Sequence, residues 1–193
     1  RNWDYRYCWL RDATFTLQAF VGSGYLAEAR AWRDWLVRAV AGDPSQLQIM
    51  YGLDGTQRLP ETTIDWLDGY QGSRPVRVGN AAAKQRQLDV WGEVLDGLHL
   101  GSEAGMEIID SGWDLQRALL EWLTDHWREP DNGLWEMRGP RRHFVHSKVM
   151  AWVAFDRAIR TVARHGLPGD VVRWRRTADR IHAQVCDRGY DPE

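Results

Sequence analysis

The sequence predicts an all-α protein built from paired helices, and three observations lead there. Apolar residues recur at three- and four-residue spacing through most of the 193 positions. Gly, Pro and Asp fall where those stretches stop and the chain must turn. Trp is present at 12 positions in a chain of otherwise ordinary statistics. A flat indole with one polar N–H suits the wide contacts between packed helices, and it also suits stacking on the C–H face of a sugar ring.

The first helix carries Trp9, Ala13, Leu17 and Phe20 on one face and stops near Gly22 and Gly24. A second runs over about 26–41, with Trp32, Leu36 and Val40 four apart, and ends at Gly42, Asp43 and Pro44. These two form a helical hairpin. From about 46 to 79, Gly, Pro, Asp and Thr interrupt short apolar runs such as 49–53 and 62–67. Loops this long are uncommon in compact domains unless they carry function, so short strands and binding residues are expected there. A third helix is expected from about Asn80, with Leu88, Trp91, Leu95 and Leu98 on one face. A fourth starts at Ser111, whose spacing to Asp114 resembles a capping box, and buries Leu115, Leu119 and Trp122. After a second functional-looking connection at 131–146, the fifth helix presents Trp152, Phe155, Ile159 and Val162, and the sixth Trp174, Ala178, Ile181 and Val185. About six helices in hairpins leave an apolar flank that neighbours must cover, as in an α-solenoid or an α/α toroid. No short self-similar repeat is visible, which weighs against the solenoid.

A chain of this length forms one core. Its formal net charge of −2 offers no large single-sign field, so nucleic acid and anionic membrane are not expected partners. No stretch approaches the roughly 20 apolar residues that cross a bilayer, and the chain reads as soluble. Cys8 and Cys186 stand at opposite ends without metal-ligand spacing and read as two buried free thiols. The chain opens at Arg1 without a Met and closes on Asp191, Pro192 and Glu193 in what reads as a turn. A part of a longer protein is expected, with any targeting signal elsewhere.

Three segments hold candidate chemistry. Residues 2–12 pack Tyr5, Trp9, Arg11 and Asp12 into one stretch ahead of a helix. Arg and Asp side by side can fork onto adjacent sugar hydroxyls while an aromatic ring faces the sugar; the alternative is that Asp12 caps the helix and Arg11 pairs with another carboxylate. In 131–139, Glu136 follows an Asp-Asn-Gly turn and stands next to Trp135. Partial burial beside an indole disfavours a carboxylate and suits a carboxylic acid that keeps its proton for delivery; the alternative is a surface Glu paired with Arg138 or Arg141. Residues 61–77 offer carboxylates, Trp66 and Tyr70 along a strand and turn. Strand alternation puts Asp65 and Leu67 opposite Trp66 and Asp68, so at most one of these carboxylates reaches a pocket. His143 and His146 lack a third ligand and read as hydrogen-bonded loop residues; no metal or cofactor is expected.

Together these segments resemble glycoside hydrolase family 15, the glucoamylase-like enzymes, in its bacterial branch of glucoamylases, glucodextranases and trehalases. The resemblance spans nearly the whole chain. It is carried by Tyr-Arg-Tyr-Cys-Trp-Leu-Arg-Asp at 5–12, Gly-Tyr-Gln-Gly-Ser-Arg-Pro-Val-Arg-Val-Gly-Asn at 69–80, Gln-Leu-Asp-Val-Trp-Gly-Glu at 87–93 and Gly-Leu-Trp-Glu at 133–136. It implies that 1–193 is one unit, the N-terminal half of an (α/α)6 catalytic barrel. It also implies an inverting mechanism, in which one carboxylic acid protonates the leaving oxygen and a second carboxylate, roughly 6.5–9.5 Å away, activates water.

In that pattern Glu136 aligns with the general acid, Arg11 and Asp12 with the pair gripping the terminal glucose, and Tyr5 and Trp9 with the wall of that subsite. Tyr70 and Trp135 are further substrate-binding candidates. Met137 stands where fungal members carry a second acidic residue, a departure the bacterial branch tolerates. The family's general base and another sugar-gripping Arg lie beyond residue 193, so the isolated chain is expected not to turn over substrate. The implied activity is exo-acting release of terminal α-linked glucose from α-glucans or oligosaccharides. The alternatives are an α,α-trehalase of the same family and a non-catalytic carbohydrate-binding helical module. An open toroid flank is expected to self-associate.

Overall fold

In the computed structural model, which describes residues 2–190, the predicted periodicities become α1 (Leu10–Gly22), α2 (Leu26–Ala39), α3 (Asp89–Glu103), α4 (Asp110–His126), α5 (Val145–His165) and α6 (Val171–Arg188). The turn expected at 191–193 lies outside the described residues. Helix α3 packs between α1 and α5. Helix α2 lies against α1 and α3, α4 against α3 and α5, and α6 against α5 and α4. Odd-numbered helices thus form one layer and even-numbered helices the layer behind it, the arrangement of a partial α/α toroid. The described residues close no ring.

The central position of α3 follows from its sequence, which is apolar or small nearly all round. Val90, Trp91, Val94, Leu95 and Leu98 are buried together with Gly92, Gly97 and Gly101, the pattern of a helix covered on every side. A Cβ at Gly92 would lie 2.2 Å from the Met150 carbonyl oxygen, so α3 and α5 touch backbone to backbone there. Several of the tryptophans join helices. Trp91 of α3 stacks on Trp122 of α4 with centroids 4.4 Å apart, and Trp113 of α4 meets Trp174 of α6 edge-on at 6.2 Å.

Two helix starts differ from the sequence expectation. Asn80 does not open α3. Its side chain accepts from Ala82 N at 3.0 Å and caps a short 3-10 turn over Ala81–Lys84, and α3 begins only at Asp89. Ser111 does not cap α4 either: Ile109 takes the cap position without a side-chain bond, and Asp114 pairs with Arg117 at 3.0 Å inside the helix. Helix α2 ends at Ala39, earlier than the expected 41.

The excursion after α2 supplies two small antiparallel sheets. β1 (Cys8–Trp9) pairs with β2 (Met50–Tyr51), and β3 (Thr62–Ile64) with β4 (Val76–Val78). The strand expected over 62–67 stops at Ile64 because Asp65 and Trp66 turn. The N-terminal segment is tied to the end of the excursion by Asp4, 5% exposed, whose carboxylate accepts from Tyr7 Oη and Gly79 N, each at 2.9 Å. The Arg6 guanidinium beside it holds the Asp4 carboxyl well below the usual carboxylate range. Both cysteines are free, but only Cys8 is partly buried; Cys186 is exposed, which corrects the expectation of two buried thiols. Burial pushes the Cys8 thiol up to about 11.

Candidate active site

The loop after α4 is fixed by its acids and amides before it reaches Glu136. Asp131, 1% exposed, exchanges both backbone hydrogen bonds with Arg142 at 2.8 Å. Its carboxylate accepts from Leu88 N at 2.8 Å and Gly133 N at 3.2 Å. Asn132 N donates to Arg86 O at 2.8 Å, and Asn132 Oδ1 accepts from Arg86 N at 3.2 Å. The loop is therefore docked on 86–88, immediately ahead of α3. Gly133 has φ +67°, and a Cβ there would lie 2.8 Å from the Phe144 ring, so both the conformation and the space call for glycine.

Glu136 itself has φ +54°, a left-handed conformation that costs a non-glycine residue about 1–3 kcal/mol and persists where the surroundings hold it. Three contacts do so. Its N–H donates to Gly133 O at 3.2 Å, its carbonyl accepts from Gln85 Nε2 at 3.2 Å, and its carboxyl Oε1 accepts from Trp9 Nε1 at 2.7 Å. The other carboxyl oxygen, Oε2, makes no hydrogen bond with the described residues.

That carboxyl opens into a cleft of about 490 Å³ whose walls include Tyr5, Trp9, Arg11, Asp12 and Trp135. Tyr5 tilts over Trp9 with ring centroids 5.4 Å apart. Arg11, in the first turn of α1, donates from Nη1 to Gln87 Oε1 and Asp89 Oδ2, each at 3.3 Å. The Asp12 carboxylate is exposed in the cleft and pairs with no described residue. A second cavity of about 340 Å³ shares Tyr5, Trp135 and Glu136 with the first and adds Trp3, Asn80 and Arg138. The guanidiniums of Arg77 and Arg138 lie over the Trp3 ring at 4.2 and 4.4 Å, and Glu61 pairs with both, at 3.4 and 3.0 Å. Below Arg11, Glu93 of α3 is 4% exposed; burial, reinforced by the charge of Asp89, pushes its carboxyl up to about 8.

One carboxyl oxygen of Glu136 is thus fixed and the other free, in an aromatic-walled cleft that also holds Arg11 and Asp12. The family profile described as glycosyl hydrolases family 15 matches residues 1–193.

The chain belongs to glycosyl hydrolases family 15.

Among its relatives, the trehalase of Mycobacterium tuberculosis (strain ATCC 25618 / H37Rv) is 40% identical over 99% of this chain and 28% of its own length. The trehalase of Mycolicibacterium smegmatis (strain ATCC 700084 / mc(2)155) is 41% identical over 99% of the chain and 29% of its own length. That of Thermoplasma volcanium (strain ATCC 51530 / DSM 4299 / JCM 9571 / NBRC 15438 / GSS1) is 34% identical over 100% and 31%. The chain thus spans less than a third of the length of these curated relatives. No solved structure matches it.

In this family 15 chain, Tyr5, Trp9, Arg11, Asp12, Trp135 and Glu136 meet at one cleft. Tyr70 does not: it is 81% exposed on the turn Tyr70–Gly72 and lines neither cavity. The indole against the carboxyl is not that of Trp135, which is 78% exposed, but that of Trp9, and the contact is its polar N–H. Pairing of Glu136 with Arg138 or Arg141 is not adopted, since Arg138 turns to Glu61. Asp12 does not cap α1; Trp9 takes that position without a side-chain bond. Of the excursion's polar groups, Asp68 pairs with Arg74 and Trp66 is 83% exposed, both away from the cleft. His146 lies in the first turn of α5, with its Nδ1 unpartnered among the described residues, and is not a hydrogen-bonded loop residue. Sequence reasoning assigned no role to Gln85, Gln87 or Trp3. Gln85 was visible only as a polar residue just ahead of an apolar helix, Gln87 only as the first residue of the 87–93 motif, and Trp3 only as one more aromatic in 2–12. Among the described residues no group of three or more His, Cys, Asp or Glu is arranged to hold a metal, and no helix is long and apolar enough to cross a membrane.

Proposed function

We propose that this chain supplies the general acid and the terminal-glucose grip of an inverting α,α-trehalase, with Glu136 as the acid. The observation that carries the reading is the Glu136 carboxyl, anchored by Trp9 at Oε1 and free at Oε2, on the wall shared by two adjoining cavities. Trehalose asks for a pocket on each side of the scissile oxygen, one per glucose. The names of the relatives, all trehalases, favour this disaccharide over an α-glucan chain.

Because Oε1 accepts from an N–H, the acid's proton belongs on Oε2, from which it passes to the glycosidic oxygen as the bond to C1 breaks. Arg11, a donor only, and Asp12, an acceptor when ionised, grip neighbouring hydroxyls of the glucosyl unit whose C1 is attacked. A carboxylate from the rest of the full protein takes a proton from water, and the water oxygen bonds to C1 from the opposite face. Two glucose molecules leave, the second carboxyl gives up its proton to solvent, and Glu136 regains one.

The test is to incubate the full protein that carries this chain with trehalose and with maltooligosaccharides. Glucose release from trehalose is expected. Release from maltooligosaccharides alone would assign the glucoamylase-type activity instead, and sugar binding without hydrolysis of either would make this a binding module.

A further inference from the structure

Two glutamine side chains connect the sugar grip to the acid. Gln87, 1% exposed, accepts from Arg11 Nη1 at 3.3 Å through Oε1 and donates from Nε2 to Gln85 Oε1 at 3.2 Å. Gln85 in turn donates from Nε2 to the carbonyls of Glu136 at 3.2 Å and Met137 at 3.3 Å. Those are the only hydrogen bonds that these two carbonyls accept among the described residues.

The direction of this chain of bonds is dictated at both ends. A guanidinium only donates and a backbone carbonyl only accepts. Each amide therefore has one permitted orientation, and flipping either would oppose like atoms, at greatest cost for Gln87, whose side chain is buried. The circuit closes through the Trp9 N–H on the Glu136 carboxyl at 2.7 Å, since Trp9 and Arg11 lie on the same stretch at the start of α1. A left-handed Glu136 at φ +54° needs such external support to stay in place.

We infer that Gln87, acting through Gln85, is a positioning residue that sets the Glu136 backbone relative to the Arg11 guanidinium, so that gripping the glucose and aiming the acid are one geometric adjustment. Neither glutamine lines the Glu136 cleft; both act through other residues. The inference rests on the glycosidase reading above for its catalytic meaning, and on the hydrogen bonds alone for its structural one.

Both parts are tested in the full protein. Gln85→Met keeps the length of the side chain and releases the Glu136 carbonyl; Gln87→Glu keeps the acceptor for Arg11 and loses the donor to Gln85; Gln87→Met loses both. For Gln85→Met, kcat on trehalose is expected to fall about 10- to 100-fold with KM within about threefold, the pattern of a misaimed catalytic group. Gln87→Glu should share the kcat loss without raising KM, and Gln87→Met should raise KM as well. The Gln85→Met/Gln87→Met pair should have a kcat no lower than the worse single variant, because both cut one path. Full additivity in kcat, or unchanged kinetics in an active protein, overturns the relay.

Amide exchange keeps the inference testable without turnover. Gln87→Met should speed exchange in 133–138 and leave α5 and α6 as in wild type. Unchanged exchange at 133–138, or a rise throughout the molecule, also overturns it. A wild-type protein inactive on both sugars would sink the glycosidase reading while leaving this second measurement to decide the relay.

Discussion

The Glu136 carboxyl owes its orientation to a residue that the sequence presents as a sugar-stacking wall. Trp9 is 8% exposed, and its N–H is spent on Glu136 Oε1. Trp9→Phe keeps a ring in the cleft and removes that donor. Its kcat should fall about tenfold with little change in KM, close to the worth of one hydrogen bond to a charged or polar acceptor; full activity in steady-state kinetics would mean that the bond does not aim the acid. Tyr5, Trp9, Arg11 and Asp12 were legible as one site because they are crowded into one short stretch, while Glu136 was picked out by the resemblance to the family and its residues alone left a surface Glu open. The contact between the two stretches was not legible. Neighbourhood in sequence pointed to Trp135, whereas the left-handed turn at Glu136 accompanies a carboxyl that reaches Trp9 and a Trp135 left in solvent. Tyr70 failed for a related reason: its motif is local, but the turn that carries it faces solvent.

At the scale of elements, the acid-bearing loop and the start of α3 are one assembly. Asp131 holds Leu88 N and Gly133 N, so Asp131→Ala leaves buried donors unpaired and should destabilise by about 1–3 kcal/mol per orphaned group. Gly133→Ala meets both a positive φ and the Phe144 ring, and a loss of about 1–3 kcal/mol is expected from the conformation before any clash is counted. Denaturant midpoints check both; a Gly133→Ala protein as stable as wild type would contradict the tight docking. These same bonds explain why the start of α3 was not readable locally. The group that accepts from Leu88 N arrives from a distant loop, and no capping residue stands at that position.

Helix α3 also carries a pH dependence. The Glu93 carboxyl, pushed up to about 8 in the folded chain from an ordinary 4.5, stays protonated there over a range where the unfolded chain has lost its proton. Its contribution is fully present below about pH 4.5 and is lost as pH rises toward about 8, a change on the order of a few kcal/mol at most. Glu93→Gln should flatten that fall, as read from urea midpoints across the window. An identical pH profile in the variant would refute the assignment.

For the whole molecule, the number and pairing of the helices were legible because a 3.6-residue apolar period survives any detail of capping. The closure of the arc was not, since it depends on what covers its outermost helices. Phe15 of α1 is 61% exposed, and Val145 and Val149 of α5 are 47% and 39% exposed. Residues 1–193 alone should therefore self-associate in light scattering, and a monodisperse monomer would contradict that. The same chain alone should hydrolyse trehalose far more slowly than the full protein, because the water-activating carboxylate is expected outside it. Proton donation by Glu136 is tested most directly by comparing Glu136→Gln with wild type on two substrates in the full protein. Trehalose needs a proton on its leaving oxygen, and α-glucosyl fluoride departs with little such help. If Glu136 is the acid, kcat/KM falls about 10²–10⁴-fold on trehalose and far less on the fluoride; an equal loss on both, or none on trehalose, contradicts it.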